Sequence, residues 1–355
     1  MYKLTDFDYE ISQDQIAQQP LKERDESLLL IYNRHKKTIE HKHFHQIIDY
    51  LERDDLLVFN DTRVLPARLY GQKESGGQVE ILLINEVEPY KWNVLLKSST
   101  KPKPGLKVRF GIDTMTGTVI NSPEKGKCLI SFQNDKHPFC SQKEFMETLD
   151  KLGVPPLPPY IKREKEHNDS YLQDKERYQT VFAKNAGAIA APTAGLHFTP
   201  ELINKIRNKG VKTAFVTLHV GLGTFKPIKT DDYREHRMDS EYYEVSEAEA
   251  ETINQARNEG KRIVGVGTTA CRVLETIGSR EDGIKPCSGW TNLFIYPSYK
   301  FKTVNSIITN FHQPKTTLLL LVSAFAGREN ILNTYKEALD KGYRFFSYGD
   351  SMLIV

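Results

Sequence analysis

Between about residues 66 and 140 apolar and polar positions alternate in short runs, "QVEILLINE", "KWNVLLKSS", "LKVRFG", "TGTVINS" and "KCLISFQ", cut by "SGG", "KPKPG" and "SPEKGK". A period of two with such breaks predicts short antiparallel strands closing into a small barrel. Ahead of it, 45–60 reads as a short amphipathic helix and then the strand "DLLVFN". Behind it, 141–152 reads as a helix and "GVPPLPPYI" as rigid extended chain, since proline fixes φ and lacks a donor. "KREKEHNDSYLQDKERYQT" reads as a polar surface segment entering a helix. From about 178 the period changes. Helical stretches such as "PELINKIRNKG", "SEAEAETINQARNEG", "TTACRVLETI" and "ENILNTYKEALDKG" alternate with the apolar strands "VKTAFVTLHV", "KRIVGVG" and "KTVNSIITNF". That order predicts an α/β domain with a largely parallel sheet. The expected organisation is an α/β domain made from 1–65 and 151–355, interrupted by a small antiparallel β-barrel domain at 66–150.

Composition narrows the class. The 355 residues suffice for two domains, and 39% hydrophobic with 27% charged residues is ordinary for a water-soluble chain. The longest apolar run, "TLLLLVSAFAG" (317–327), is too short to cross a bilayer, and the start lacks a signal-peptide pattern. No membrane partner is expected. Cys128, Cys140, Cys271 and Cys287 lie far apart with no CxxC pair, so their spacing suggests neither a disulfide framework nor a thiolate zinc site. A reducing cytoplasm fits. The net charge of +3 permits a nucleic-acid partner without arguing for one.

In a sheet of this kind ligands bind beyond the carboxyl ends of the strands. Three segments put small residues, threonine and histidine there. "AAPTAGLHFTP" (190–200) carries Thr193, Gly195 and His197; "LHVGLGTFKP" carries His219, Gly221, Gly223, Thr224 and Phe225; "VGVGTTACR" carries Gly267, Thr268 and Thr269. Glycine lets backbone approach a ligand, and a helix start offers unpaired amides to an anion. Thr268 and Thr269 are candidates both to cap that helix and to hold a carboxylate or ribose hydroxyl. Each segment alone also reads as an ordinary strand-to-helix turn. Asn310 and His312 end a strand, Asp350 sits in the turn "YGDSM", and Trp290 lies in the aromatic stretch 288–301. "GVGTTA" lacks the third glycine of a dinucleotide fingerprint, which weakens a nicotinamide dehydrogenase without removing it. His41, His43 and His45 share a face if extended, which suggests a metal-dependent hydrolase, but no carboxylate partner stands at ligand spacing and no metal is expected. A non-catalytic RNA-binding module, with the barrel as its working part, also fits these residues.

Taken together, "LTDFDYE", "NDTRVLPARL", "GVPPLPPYI", "ERYQTVFA", "AAPTAGLHFT", "LHVGLGTFKP", "SEYYEV", "VGTT", "GWTNLFIYP", "TNFHQPKTTLL", "VSAFAG" and "YRFFSYGDSMLI" resemble, nearly end to end, the S-adenosylmethionine:tRNA ribosyltransferase-isomerase family of queuosine biosynthesis. "TTACRVLE" departs slightly from the pattern, with Cys271 unusual there. The resemblance implies transfer and isomerisation of a ribosyl unit from S-adenosylmethionine onto 7-aminomethyl-7-deazaguanine at the tRNA wobble position. The product is epoxyqueuosine-tRNA, with adenine and methionine released. S-adenosylmethionine is then a substrate, no cofactor is needed, and a monomer is expected. In that chemistry His197, His219, His312 and Asp350 are candidates for proton transfer. Thr193, Gly195, Gly221, Gly223, Thr224, Gly267, Thr268, Thr269 and Asn310 are candidates for the pocket, and Trp290 and Phe225 for stacking on a base. Small residues from Ala190 to Gly195 are expected to leave room for a nucleoside with an extruded base. His197→Ala is expected to lower turnover far more than thermal stability. Lys101, Lys103, Lys107, Arg109, Lys162 and Arg163 are candidates for RNA contact.

Overall fold

The computed structural model describes residues 3–124, 126–163, 168–221, 223, 227–280 and 283–355. Contacts divide the chain into one unit of Met1–Arg63, Pro158–Glu164 and Arg177–Val355, and a second of Val64–Leu157 and Lys165–Glu176.

Burial along the central strands of the first unit alternates between two cores. Leu56 and Val58 enter one, Leu57 and Phe59 the other; Met352 and Ile354 are likewise opposed to Leu353. A strand buried on both faces has no polar side, which is why these segments read as continuous apolar runs. Among the described residues nine strands form the sheet, in the order Cys287–Thr291, Glu241–Val245, Lys212–Leu218, Leu56–Asn60, Ile263–Val266, Ser306–Asn310, Ser351–Ile354, Leu28–Asn33 and Thr38–His43. The four from Lys212–Leu218 to Ser306–Asn310 are parallel. Both flanks turn antiparallel, although Ser351–Ile354 and Leu28–Asn33 are parallel to each other.

Helices cover both faces. Glu247–Asn258, Gly267–Gly278, Thr317–Ala326 and Arg328–Asp340 contribute Ile253, Leu274, Leu320 and Tyr335 to one core. Pro200–Asn208 contributes Leu202 and Ile206 to the other, beside Phe44 and Ile47. The segment read as an amphipathic helix is a 3-10 helix, Phe44–Tyr50. Its buried residues Phe44 and Ile47 are three apart, the spacing that a three-residue turn places on one face. Cys271 finds its reason in Gly265, where an added Cβ would stand 2.5 Å from the Cys271 Sγ. The thiol fills the space that the glycine leaves.

The second unit holds a closed antiparallel barrel, formed among the described residues by Lys127–Asn134, Lys91–Ser98, Gln78–Glu88, Arg68–Lys73, Lys107–Phe110 and Met115–Val119 in that order. Alternate residues such as Ile81, Val94, Phe110 and Ile130 fill it, as the period-two pattern requires. Helix Gln142–Leu152 starts at Ser141, whose hydroxyl accepts from the Glu144 amide, and buries Phe145 against Trp92, Phe132 and Phe139.

The three histidines at 41–45 do not converge. His41 meets the Tyr343 hydroxyl at 2.9 Å, whereas His43 and His45 stack on each other beside Glu26. The strand ends at His43, so the alternation that would have aligned His45 stops one turn early.

Candidate active site

The four parallel strands stop at Leu218, Asn60, Val266 and Asn310, placing His219, Asp61, Gly267 and Phe311–His312 along one sheet edge. Ser351 pairs with both Asn310 and Leu29, so Asp350 and Ser27–Leu28 reach the same edge from strands that begin there. A two-stranded pairing of Asn185–Ala188 with Thr62–Val64 leads the chain into the 3-10 turn Thr193–His197.

Two adjoining cavities mark where this turn meets the edge. Thr193, Gly267, Thr268, Thr269 and His312 line one, and Thr193, Asn310, His312 and Ser347 line the other. Each offers about 30 Å³, room enough for an ordered water. Leu318 lines both cavities, and Gly195 is small for packing: a Cβ there would meet Phe182 and Thr180 at 2.8 Å.

The capping expectation for Thr268 and Thr269 also changes. The helix Gly267–Gly278 begins after Val266, which has no side chain able to cap, and both threonines already lie in its first turn. Gly267 enters at φ +90°, a conformation that residues with a Cβ avoid. Among the described residues no side chain caps the first-turn amides of this helix, and the buried, cavity-lining Thr269 hydroxyl has no hydrogen-bond partner. Together they form a donor set suited to a carboxylate.

His197 Nδ1 lies 2.7 Å from the Ser27 hydroxyl, and its ring stacks on Phe44. Its Nε2 and the Asn310 Oδ1 are buried without a bonding partner among the described residues, although Asn310 is near enough to favour a protonated ring. Burial, reinforced by Arg344, pulls His197 down to about 3. His312 Nε2 lies 2.7 Å from the Thr309 hydroxyl, while its backbone accepts from Tyr9 and donates to Tyr335. Burial alone pulls it to about 3 as well. Both rings are neutral in the fold and take up a proton readily only when the chain unfolds. Stability is therefore fully present above the ordinary histidine value of about 6.5 and is lost as pH falls from there toward 3. Urea midpoints measured from pH 7 to pH 4 should drop, and drop less steeply in His312→Gln.

His219 lies on the flank. Its Nδ1 meets the Thr62 hydroxyl at 2.8 Å, and its ring occupies the space above Gly187, where a Cβ would come within 2.6 Å. Burial lowers its pKa, against the pull of Asp61 and Glu244. It stacks on Tyr242, which meets Trp290 edge-on at 5.8 Å. Trp290 is 67% exposed on the edge strand Cys287–Thr291, and neither His219 nor Trp290 lines the two cavities. Asp350 accepts from the Leu28 and Arg344 amides at 3.0 and 2.8 Å and pairs with the Arg344 guanidinium. Burial raises its pKa while Arg344 opposes the rise. Gly221 donates to Glu241, itself paired with the buried Arg272. Gly223 leaves no open space, since a Cβ would approach Asp239 to 2.6 Å. The readings of Thr224 and Phe225 fall outside the described residues.

Several partners at this edge are invisible in the chain's local patterns. Ser27 holds His197, and Arg24, Arg177 and Arg344 line a third small cavity with it. Asn60 clamps both backbone groups of Leu218, and Asp61 accepts from Asn185 and Thr217. The run "NDT" at a strand end is their one available signal, because polar residues there must find partners.

Comparison with known proteins agrees with this architecture. A family model described as "Queuosine biosynthesis protein" matches residues 4–354. Curated proteins named S-adenosylmethionine:tRNA ribosyltransferase-isomerase from Acetivibrio thermocellus and Clostridioides difficile are each 48% identical over 353 residues, 99% of both chains. A crystal structure described as S-adenosylmethionine tRNA ribosyltransferase from Thermotoga maritima is 36% identical, covering 99% of this chain and 100% of that one, with a TM-score of 0.56. Among the described residues no helix is long and apolar enough to cross a membrane. With both the sheet edge and the barrel in place, the match over essentially the whole length establishes that the chain belongs to the queuosine biosynthesis protein family.

Proposed function

We propose that this chain is an S-adenosylmethionine:tRNA ribosyltransferase-isomerase acting on 7-aminomethyl-7-deazaguanine at the wobble position, giving epoxyqueuosine-tRNA, adenine and methionine. The end-to-end identity with enzymes of that name carries the reading. S-adenosylmethionine is spent as ribosyl donor, and no cofactor or metal takes part. A monomer and a cytoplasmic setting go with it.

The reaction starts from the sulfonium, which acidifies the neighbouring 5′-methylene. Loss of that proton opens the ribose as adenine leaves; the amine of the deazaguanine attacks, an epoxide closes, and methionine departs. The chain has to supply a carboxylate anchor, proton carriers and cover from water. The first-turn amides of Gly267–Gly278 with Thr269 serve as anchor for the methionine carboxylate. His312 and His197 serve as carriers, each held through one nitrogen by a hydroxyl. A neutral imidazole beside a sulfonium avoids like-charge repulsion, and arrival of carboxylate and phosphate groups raises a depressed pKa toward working pH. Trp290 offers an exposed stacking face for an RNA base.

Release of adenine from S-adenosylmethionine, followed chromatographically with and without modified tRNA, tests the reading. Release that requires the tRNA is expected; methyl transfer without adenine would overturn it.

A further inference from the structure

The cysteine spacing gave no zinc pattern, yet the second unit brings three unlike donors together. A ring nitrogen of His137, the Cys140 Sγ and a carboxylate oxygen of Glu144 all lie within 4.8 Å of one another. Among the described residues this is the cluster of histidine, cysteine and acidic side chains that meets that spacing. Its residues are close in sequence, His-x-x-Cys-x-x-x-Glu, so a single loop and the first turn of helix Gln142–Leu152 carry them all.

Local hydrogen bonds hold the arrangement. The Cys140 amide donates to Glu144 Oε2 at 2.8 Å, and Asn134 donates to Oε1 at 3.1 Å. Ser141 caps the helix through the Glu144 amide, fixing where that side chain leaves the backbone. The Pro138 carbonyl lies 3.0 Å from His137 Nδ1 and accepts from the Cys140 thiol at 3.6 Å, keeping ring and sulfur together. His137 Nδ1 is 3.7 Å from Glu144 Oε1. Cys140 and His137 are exposed, so an ion reaches them directly.

We propose that His137, Cys140 and Glu144 bind a zinc-class divalent cation, with water completing a tetrahedron. Mixed nitrogen, sulfur and oxygen donors match zinc or cobalt, whereas magnesium and calcium take oxygen ligands almost alone. The ion replaces the Cys140 thiol proton, so one proton leaves per ion bound. Its role is structural, tying loop 135–140 to the helix start, and it is independent of the reaction proposed above.

The test uses the full-length chain titrated with cobalt(II), then zinc. The expected result is a thiolate-to-cobalt charge-transfer band in the near ultraviolet at one equivalent, displaced by zinc. Cys140→Ser should abolish the band and weaken zinc at least about 10-fold, the loss that even an outer-shell change costs. Cys287→Ser, in the first unit, should leave both unchanged. Because Cys140 is exposed, circular dichroism should show Cys140→Ser folded like the parent. Zinc should also shield Cys140 from alkylation in peptide mapping. Cobalt binding without the band, a band that survives Cys140→Ser, or equal zinc affinity in parent and variant would overturn the site.

Discussion

Arg272→Met should lower unfolding stability by about 3–5 kcal/mol, the cost of leaving one partner of a buried ion pair without its countercharge. Arg272 and Glu241 have side chains only 5% and 3% exposed. The guanidinium also donates to the Leu293 carbonyl at 3.1 Å, so methionine leaves an acceptor short as well. Adding Glu241→Gln removes the carboxylate charge and should recover part of the loss. Urea unfolding of both variants measures this. A loss below about 1 kcal/mol for Arg272→Met would mean that water reaches the pair. Function follows stability here. Glu241 accepts from the Gly221 amide, and Arg272 rides on the helix whose first turn lines the cavity.

His312→Gln should reduce turnover about 10²–10⁴-fold, the usual share of a positioned proton carrier. Glutamine retains a polar end that can meet Thr309, so folding should change little. Equal loss of kcat and kcat/KM would mark a transition-state role, and a rise in KM alone would mark simple binding. His197→Ala is a poorer probe than the sequence suggests. The ring is buried against Phe44 and bonded to Ser27, so alanine opens a cavity costing about 2–4 kcal/mol alongside any loss of turnover.

Large parts of the molecule are legible in the chain alone. Period-two runs give the barrel strands, and apolar runs such as "LLVFN" and "SIITN" give the sheet centre, because one-sided and two-sided burial leave different traces. Glycine, threonine and histidine after "VGV" and "ITN" point to the edge where Thr269 and His312 line one cavity. What is not legible depends on contacts distant in sequence. Ser27 lies 170 residues from His197, and Asp350 lies 322 from Leu28. The distant donor to Asp350, the Leu28 amide, leaves no mark in the local pattern around "YGDSM", whereas Arg344 lies only six residues away. Cavity size is likewise hidden. Small residues show that backbone comes close, and at Gly195 the space goes to Phe182 instead of a ligand.

The most direct measurement is nucleoside mass spectrometry of the anticodon after incubation with S-adenosylmethionine labelled in its ribose carbons. Label should appear in the wobble nucleoside with adenine released in equal amount, and both should be lost in folded His312→Gln. Label absent from the wobble nucleoside, or carried there undiminished by His312→Gln, would contradict it.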